Sequence, residues 1–240
     1  MKLTKLPFRA LRAVHDPLMA RLRSSPVVTR ALFGVSIPPG PRTPVWDYTT
    51  LVMRKAIRRH VSDGMRVWDI GCGPAAIVSL FVARVVPGAE VVASDREPSC
   101  IPLAQQAARH AGAAITVIQS DLAANVPGLF DVIMFNPPYL PLGDAQLMPD
   151  YRLKSDPLVG VFEKRFGGGD DGHQVITRFL DEIPAKLTDR GRVLLGFNTV
   201  YVSTDRVQQD AARGGLELVQ TFSSGWNPSR VLVFRRTAAA

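Results

Sequence analysis

The 240-residue sequence predicts an α/β domain built on a mostly parallel, seven-stranded sheet, with helices on both faces and a C-terminal antiparallel strand pair. Two observations predict it. From Met65 onward, short apolar runs alternate with longer amphipathic ones, as in parallel strands joined by right-handed helical crossovers. The runs Val67-Trp68-Asp69-Ile70 and Phe130-Asp131-Val132-Ile133-Met134-Phe135 are almost wholly apolar, the mark of strands covered on both faces.

Composition bounds the class. Hydrophobic residues make up 46% and charged residues 21%, an ordinary globular balance. Cys72 and Cys100 are far apart and in no metal spacing, which argues against a disulfide framework and a zinc site. A reducing compartment, the cytoplasm, is the expected location. The longest apolar run, 75–86, carries Arg84 and is too short to span a bilayer, so no membrane partner is expected. No signal peptide is read at the start. The first residues resemble a targeting presequence in being basic and acid-poor, but serines are few there.

The net charge of +8 is uneven. Residues 1–60 hold twelve Lys/Arg against Asp16 and Asp47, or +10, which leaves −2 for residues 61–240. Such a basic end points to an acidic partner, RNA or a negative protein face, or to a merely solvated helix.

In chain order, residues 1–35 read as helix, with Leu3, Leu6, Leu11, Val14, Leu18 and Leu22 on one face and a break near Pro17. Residues 37–44 form a proline-rich connector. Residues 1–44 are thus a basic helical extension with its connector, and 45–240 the catalytic domain. A helix over 49–61 turns Leu51, Val52, Ile57 and Val61 inward. Strands follow at 66–70, 90–94, 114–118, 131–135 and 192–197, then 216–222 and 230–235 as the antiparallel pair. Helices are expected at 75–85, 99–111, 172–187 and 205–213.

The first strand runs into Asp69-Ile70-Gly71-Cys72-Gly73-Pro74-Ala75-Ala76. Glycines at a strand-to-helix turn let the backbone bend and a ligand approach closely. Gly71-x-Gly73-x-x-Ala76 also fits the dinucleotide fingerprint, so the loop alone suits a nicotinamide cofactor or S-adenosylmethionine. Asp95, ending the second strand, can accept from ribose hydroxyls of either. Asp69 favours adenosylmethionine, because a carboxylate there attracts an ammonium and repels a pyrophosphate. Asp121-Leu122 ends the third strand where an adenine amino group would be met, although Ser120-Asp121 can also simply cap a helix. The candidate cofactor set is Asp69, Gly71, Cys72, Gly73, Ala75, Asp95, Arg96, Asp121, Leu122 and Asn136.

After the fourth strand comes Asn136-Pro137-Pro138-Tyr139. Two prolines fix two φ angles and remove two backbone donors, leaving carbonyl acceptors, one amide and one aromatic ring. That inventory suits gripping a flat, NH-bearing group; the plain alternative is a strand-ending turn. His15, His60, His110 and His173 fall in unrelated segments and read as surface or capping residues, Cys72 as packing, and Trp46 and Trp226 as core or stacking residues.

With these motifs in order, the chain resembles the Rossmann-like class I adenosylmethionine-dependent methyltransferases, and within them the HemK/PrmC-type N5-glutamine methyltransferases of translation release factors. Their Asn-Pro-Pro-Tyr motif matches Asn136 to Tyr139 without change, Gly168-Gly169-Asp170-Asp171-Gly172 echoes a Gly-Gly-x-x-Gly segment, and 44–50 echoes a proline–acid–threonine stretch. The resemblance covers about residues 44–200. Ala75 departs from it where a third glycine is common, and neither the segment before 44 nor 143–166 follows the family's substrate-contacting parts. It implies S-adenosyl-L-methionine as cofactor and an N-methyltransferase acting on a glutamine amide of a protein, with Asn136, Pro137, Pro138 and Tyr139 catalytic. The competing acceptors are adenine-N6 or guanine-N2 of a nucleic acid, then a small-molecule amine. A nicotinamide oxidoreductase and a non-catalytic subunit are the other classes.

Overall fold

The computed structural model describes residues 18, 19, 21–38, 45–139, 172–225 and 227–237. Most of the expected N-terminal helix, 39–44 of the connector, 143–166, 168–171 and Trp226 lie outside the described residues.

The helices are α1 (Pro26–Phe33), α2 (Tyr48–His60), α3 (Ile77–Val85), α4 (Cys100–Ala111), α5 (Gln174–Glu182) and α6 (Thr204–Arg213). The strands are β1 (Arg66–Ile70), β2 (Glu90–Asp95), β3 (Ile115–Gln119), β4 (Phe130–Phe135), β5 (Leu187–Asn198), β6 (Leu216–Ser223) and β7 (Ser229–Arg236). They form one sheet in the order β3-β2-β1-β4-β5-β7-β6. The first five are mutually parallel, and β7 runs antiparallel between β5 and β6. The closing pair therefore forms one edge of the sheet, with β7 rather than β6 next to β5.

Side-chain alternation splits the core. Val67, Val91, Val132, Met134 and Leu194 face one way and pack under α1 to α4, with Phe33, Met53, Leu80 and Phe81. Trp68, Ile70, Ile133, Phe135 and Leu195 face the other way, under Phe179 of α5 and Val207 of α6. Trp68 donates its indole N–H to Ser94 Oγ at 2.9 Å, so its burial leaves no orphaned donor.

Register sets the rim. Ile70 lies opposite both Ser94 and Phe135, and Asp95 lies opposite Gln119. Gly71, Asp95, Ser120 and Asn136 therefore leave the sheet side by side at its carboxyl edge, where open α/β sheets take ligands.

Three expectations are corrected. The helix foreseen from 75 starts at Ile77, because Ala76, its N-cap, is held left-handed at φ 44°. The helix foreseen to 187 ends at Glu182 and passes through a 3-10 turn, Ile183–Lys186, with Pro184 in its first turn. Leu187 already belongs to β5, which starts five residues before the apolar run because Thr188 to Gly191 form an irregularity between the Phe130 and Val132 pairings.

Candidate active site

Asp69 ends its side chain inside the fold. Its Oδ2 accepts from the backbone N–H of Ser79 at 3.0 Å and from Ser79 Oγ at 2.6 Å, and the residue is 3% exposed. Burial raises its carboxyl to about 7; the bonds from Ser79 oppose the shift and the charge of Asp95 adds to it. The acid thus ties β1 to the first turn of α3.

The glycine loop is clasped to β2. Cys72 N–H donates to the Ser94 carbonyl at 2.9 Å and Gly73 N–H to Asp95 Oδ2 at 2.8 Å. The other oxygen of Asp95 accepts from Glu97 N–H at 2.9 Å. Gly71 and Gly73 are left-handed, at φ 65° and 63°. A Cβ on Gly71 would also come within 3.2 Å of the Phe135 ring, so only glycine lets the loop pass over the end of β4. Cys72 packs into the core at 9% exposure, Ala75 is buried at 9%, and Arg96 is exposed at the end of β2.

Asp121 is exposed and pairs with Arg178 of α5 at 3.0 Å, a bond that raises the Arg178 guanidinium further. Its neighbour Leu122 is 4% exposed and left-handed at φ 45°. Ser120 supports that turn: its Oγ donates to Leu122 O at 2.8 Å and accepts from Asn125 N–H at 3.0 Å. Both non-glycine residues with positive φ among the described residues, Ala76 and Leu122, border this site.

Asn136 follows β4 directly. Its Nδ2 donates to both oxygens of Asp47, each at 3.4 Å, and its Oδ1 is buried without a hydrogen-bond partner. Asp47 only accepts, so the amide is oriented with its oxygen turned away from that carboxylate. Pro137 is buried, while Pro138 and Tyr139 are half-buried. Tyr139 donates its hydroxyl to Asp47 Oδ2 at 3.4 Å, and burial, then the Asp47 charge, push its phenol pKa up. Its ring stacks on Tyr201 at a 6.2 Å centroid distance and 26°.

Asp47 is also the N-cap of α2. Its Oδ1 accepts from Thr50 N–H and Thr50 Oγ1, both at 2.7 Å, while Thr50 Oγ1 accepts from Asp47 N–H at 3.2 Å. Gly196 of β5 allows the approach, since a Cβ there would lie 2.6 Å from Thr49 Cγ2. Neither Asp47 nor Tyr201 was a sequence candidate. The usable signal for Asp47 was its place as the acid of the 44–50 stretch, an N-cap residue type just before a helix; nothing marked Tyr201, which the turn after β5 carries.

The remaining singled-out residues are structural. Trp46 packs against Phe33 in the core at 6% exposure. His110 lies at the surface 3.2 Å from Ser36 Oγ, and half-buried His60 bonds Gln220 at 2.9 Å. His173 is buried rather than superficial, its Nε2 accepting from Ser203 N–H at 3.2 Å, which ties α5 to the turn bearing Tyr201. His15 lies outside the described residues. None of these lies with another His, Cys, Asp or Glu in a group fit for a metal among the described residues.

Residues 45–147 match the family model of the Methyltransferase small domain. Over 130 residues the chain is 33% identical to the release factor glutamine methyltransferase of Deinococcus radiodurans, covering 54% of this chain and 44% of that protein. Over 189 residues it is 30% identical to the release factor glutamine methyltransferase of Escherichia coli, covering 78% of this chain and 65% of that one. The chain therefore spans less than two thirds of either relative's length. Among solved structures, a methyltransferase from Pyrococcus furiosus superposes with a TM-score of 0.60 at 18% identity, over 95% of this chain and 98% of the other, a likeness of fold.

Proposed function

We propose, starting from a chain that carries a class I S-adenosylmethionine-dependent methyltransferase domain, that it methylates a planar NH₂ nitrogen, a glutamine side-chain amide of a protein. The observation that carries this reading is the unpartnered, buried Asn136 Oδ1. A buried acceptor without a donor costs about 1–3 kcal/mol, a cost that a substrate N–H would remove.

The residues present fit the cofactor. Gly71 and Gly73, both left-handed, carry bare backbone past the carboxyl end of β1, where a Cβ on Gly71 would crowd Phe135, with the acids Asp69 and Asp95 beside them. Asp95 and the Gly71–Gly73 backbone would hold it, with Asp69 beneath and Leu122 against it. When bound, S-adenosylmethionine supplies an electrophilic methyl group.

An amide nitrogen is a poor nucleophile because its lone pair is delocalised. Asn136 Oδ1 and the Pro137 carbonyl would each accept one N–H of the acceptor, fixing the plane of the NH₂. Asp47 behind the Asn136 amide polarises it, which strengthens Oδ1 as an acceptor and stabilises positive charge developing on nitrogen. Tyr139, kept protonated by burial and by Asp47, offers an uncharged face to the flat group, and Tyr201 backs it. Orientation of this kind is worth up to roughly 7–11 kcal/mol of a barrier.

The test is transfer of a tritiated methyl group to components of a cell extract, followed by protease or nuclease. Label removed by protease and recovered as N5-methylglutamine supports the proposal. Label removed by nuclease overturns it in favour of an extruded adenine or guanine, which the Tyr139 face would also stack.

A further inference from the structure

The basic extension meets the domain in a cluster that the methyl-transfer site does not use. The Arg54 guanidinium lies over Phe33 of α1 and Phe81 of α3, at 5.1 and 5.5 Å from the ring centroids. Arg58, one turn further along α2, lies over the same Phe81 ring at 5.2 Å. The stem of Arg84 passes the C-cap of α1, 3.9 Å from where a Cβ on Gly34 would stand, and Arg30 occupies the last turn of that helix. Arg30, Arg58 and Arg84 are exposed and Arg54 is half-buried.

Among the described residues none of these four arginines forms an ion pair. Arg54 Nε is buried with no hydrogen-bond partner, and burial together with the Arg58 charge lowers its pKa. Two guanidinium groups thus lie over the Phe33 and Phe81 rings, with Arg30 and Arg84 on neighbouring turns, and among the described residues none of the four meets a counter-charge, an arrangement that suits an external anion.

We propose that the α1–α2–α3 face binds the phosphate backbone of a nucleic acid, with Arg30, Arg54, Arg58 and Arg84 as the contacts. Guanidinium groups backed by rings present their N–H edges outward, which suits bidentate contact with phosphate. The single sign of the charge on this face favours a polyanion over a protein. Protein surfaces intersperse both signs, whereas duplex nucleic acid carries one negative charge per ~1.7 Å. A membrane surface fits less well, because α1 turns its largest apolar side chain, Phe33, inward and exposes only Val27 among its large apolar residues. The inference does not rest on the methyl acceptor proposed above.

The test is fluorescence anisotropy of the full chain with a labelled RNA hairpin and a labelled DNA duplex. Saturable binding to either should weaken steeply between about 50 and 200 mM salt, each lost phosphate contact taking about 0.9 from the slope of log K against log salt. The R58E/R84E double variant should bind at least tenfold more weakly, with adenosylmethionine affinity and melting temperature unchanged. R58Q/R84Q should bind to an intermediate degree, and it serves alone if charge reversal unfolds the chain. Arg54 is left intact because it packs on two rings. The proposal fails if neither probe binds saturably at the lower salt or if the variants bind like the parent chain. It also fails if poly-glutamate or phosphatidylserine vesicles bind more tightly than both nucleic acids.

Discussion

Asp47 and Asn136 are 89 residues apart in sequence, and the Asn136 amide spans both oxygens of the Asp47 carboxylate at 3.4 Å. One carboxylate therefore caps a helix and aims the amide of the substrate turn. These two duties can be separated by mutation.

Asp47→Asn should keep the cap, since asparagine is an N-cap equal to aspartate, while losing the charge that holds Asn136. The expected result is a melting temperature close to the parent's with methyl transfer reduced about 10–100-fold, mainly in kcat. Asp47→Ala should lose both functions, adding roughly 1 kcal/mol of destabilisation. Equal activity of Asp47→Asn and the parent would show that the contact does not position Asn136.

Asn136→Ala removes the acceptor without touching the glycine loop. Loss of one preorganised polar contact in a site costs roughly 10²–10³ in rate, so turnover should fall at least that far. Calorimetry should show adenosylmethionine affinity within a few-fold. Retained turnover would sink the proposed mechanism.

Gly196→Ala places a methyl group 2.6 Å from Thr49 Cγ2 and 3.2 Å from Met53 Cε. Overpacking of this kind costs about 1–3 kcal/mol, and relief requires the start of α2 to lift off β5. Chemical denaturation should register the loss. Activity should fall with it, because Asp47 travels with that end of the helix.

Asp69 makes stability depend on pH. Its carboxyl rises from an ordinary 3.8 to about 7 on folding, so the folded chain holds a proton that the unfolded chain releases. That contribution is whole below about pH 4 and is lost as pH climbs through about 7. Asp69→Asn abolishes the titration. Its melting temperature relative to the parent should therefore rise from pH 4 to pH 7, by about 5 °C or more if the shift is worth a few kcal/mol. A constant difference across that window would refute the assignment.

Much of this was legible beforehand. Strands such as β1 and β4 are covered on both faces and write themselves as almost wholly apolar runs, so their ends could be read closely. The bends were harder. Ala76 is a good helix former that the loop holds left-handed, and Thr188 to Gly191 fall between the expected helix and strand yet belong to β5. Asp121 looked free to meet a ligand because Arg178, its ion-pair partner, is 57 residues away in sequence. Tyr201 meets Tyr139 only because β5 lies beside β4, a neighbour relation that exists in the sheet and not along the chain.

The clasp between the glycine loop and β2 bears on timing. Gly73 is bonded to the Asp95 carboxylate and Cys72 to the Ser94 carbonyl, so the chain's own atoms determine the shape of the cradle. A ligand entering it meets a glycine loop already held in place. Association should accordingly be a single fast phase, its rate linear in ligand concentration, and any slow step in turnover should fall on the acceptor's side of the site.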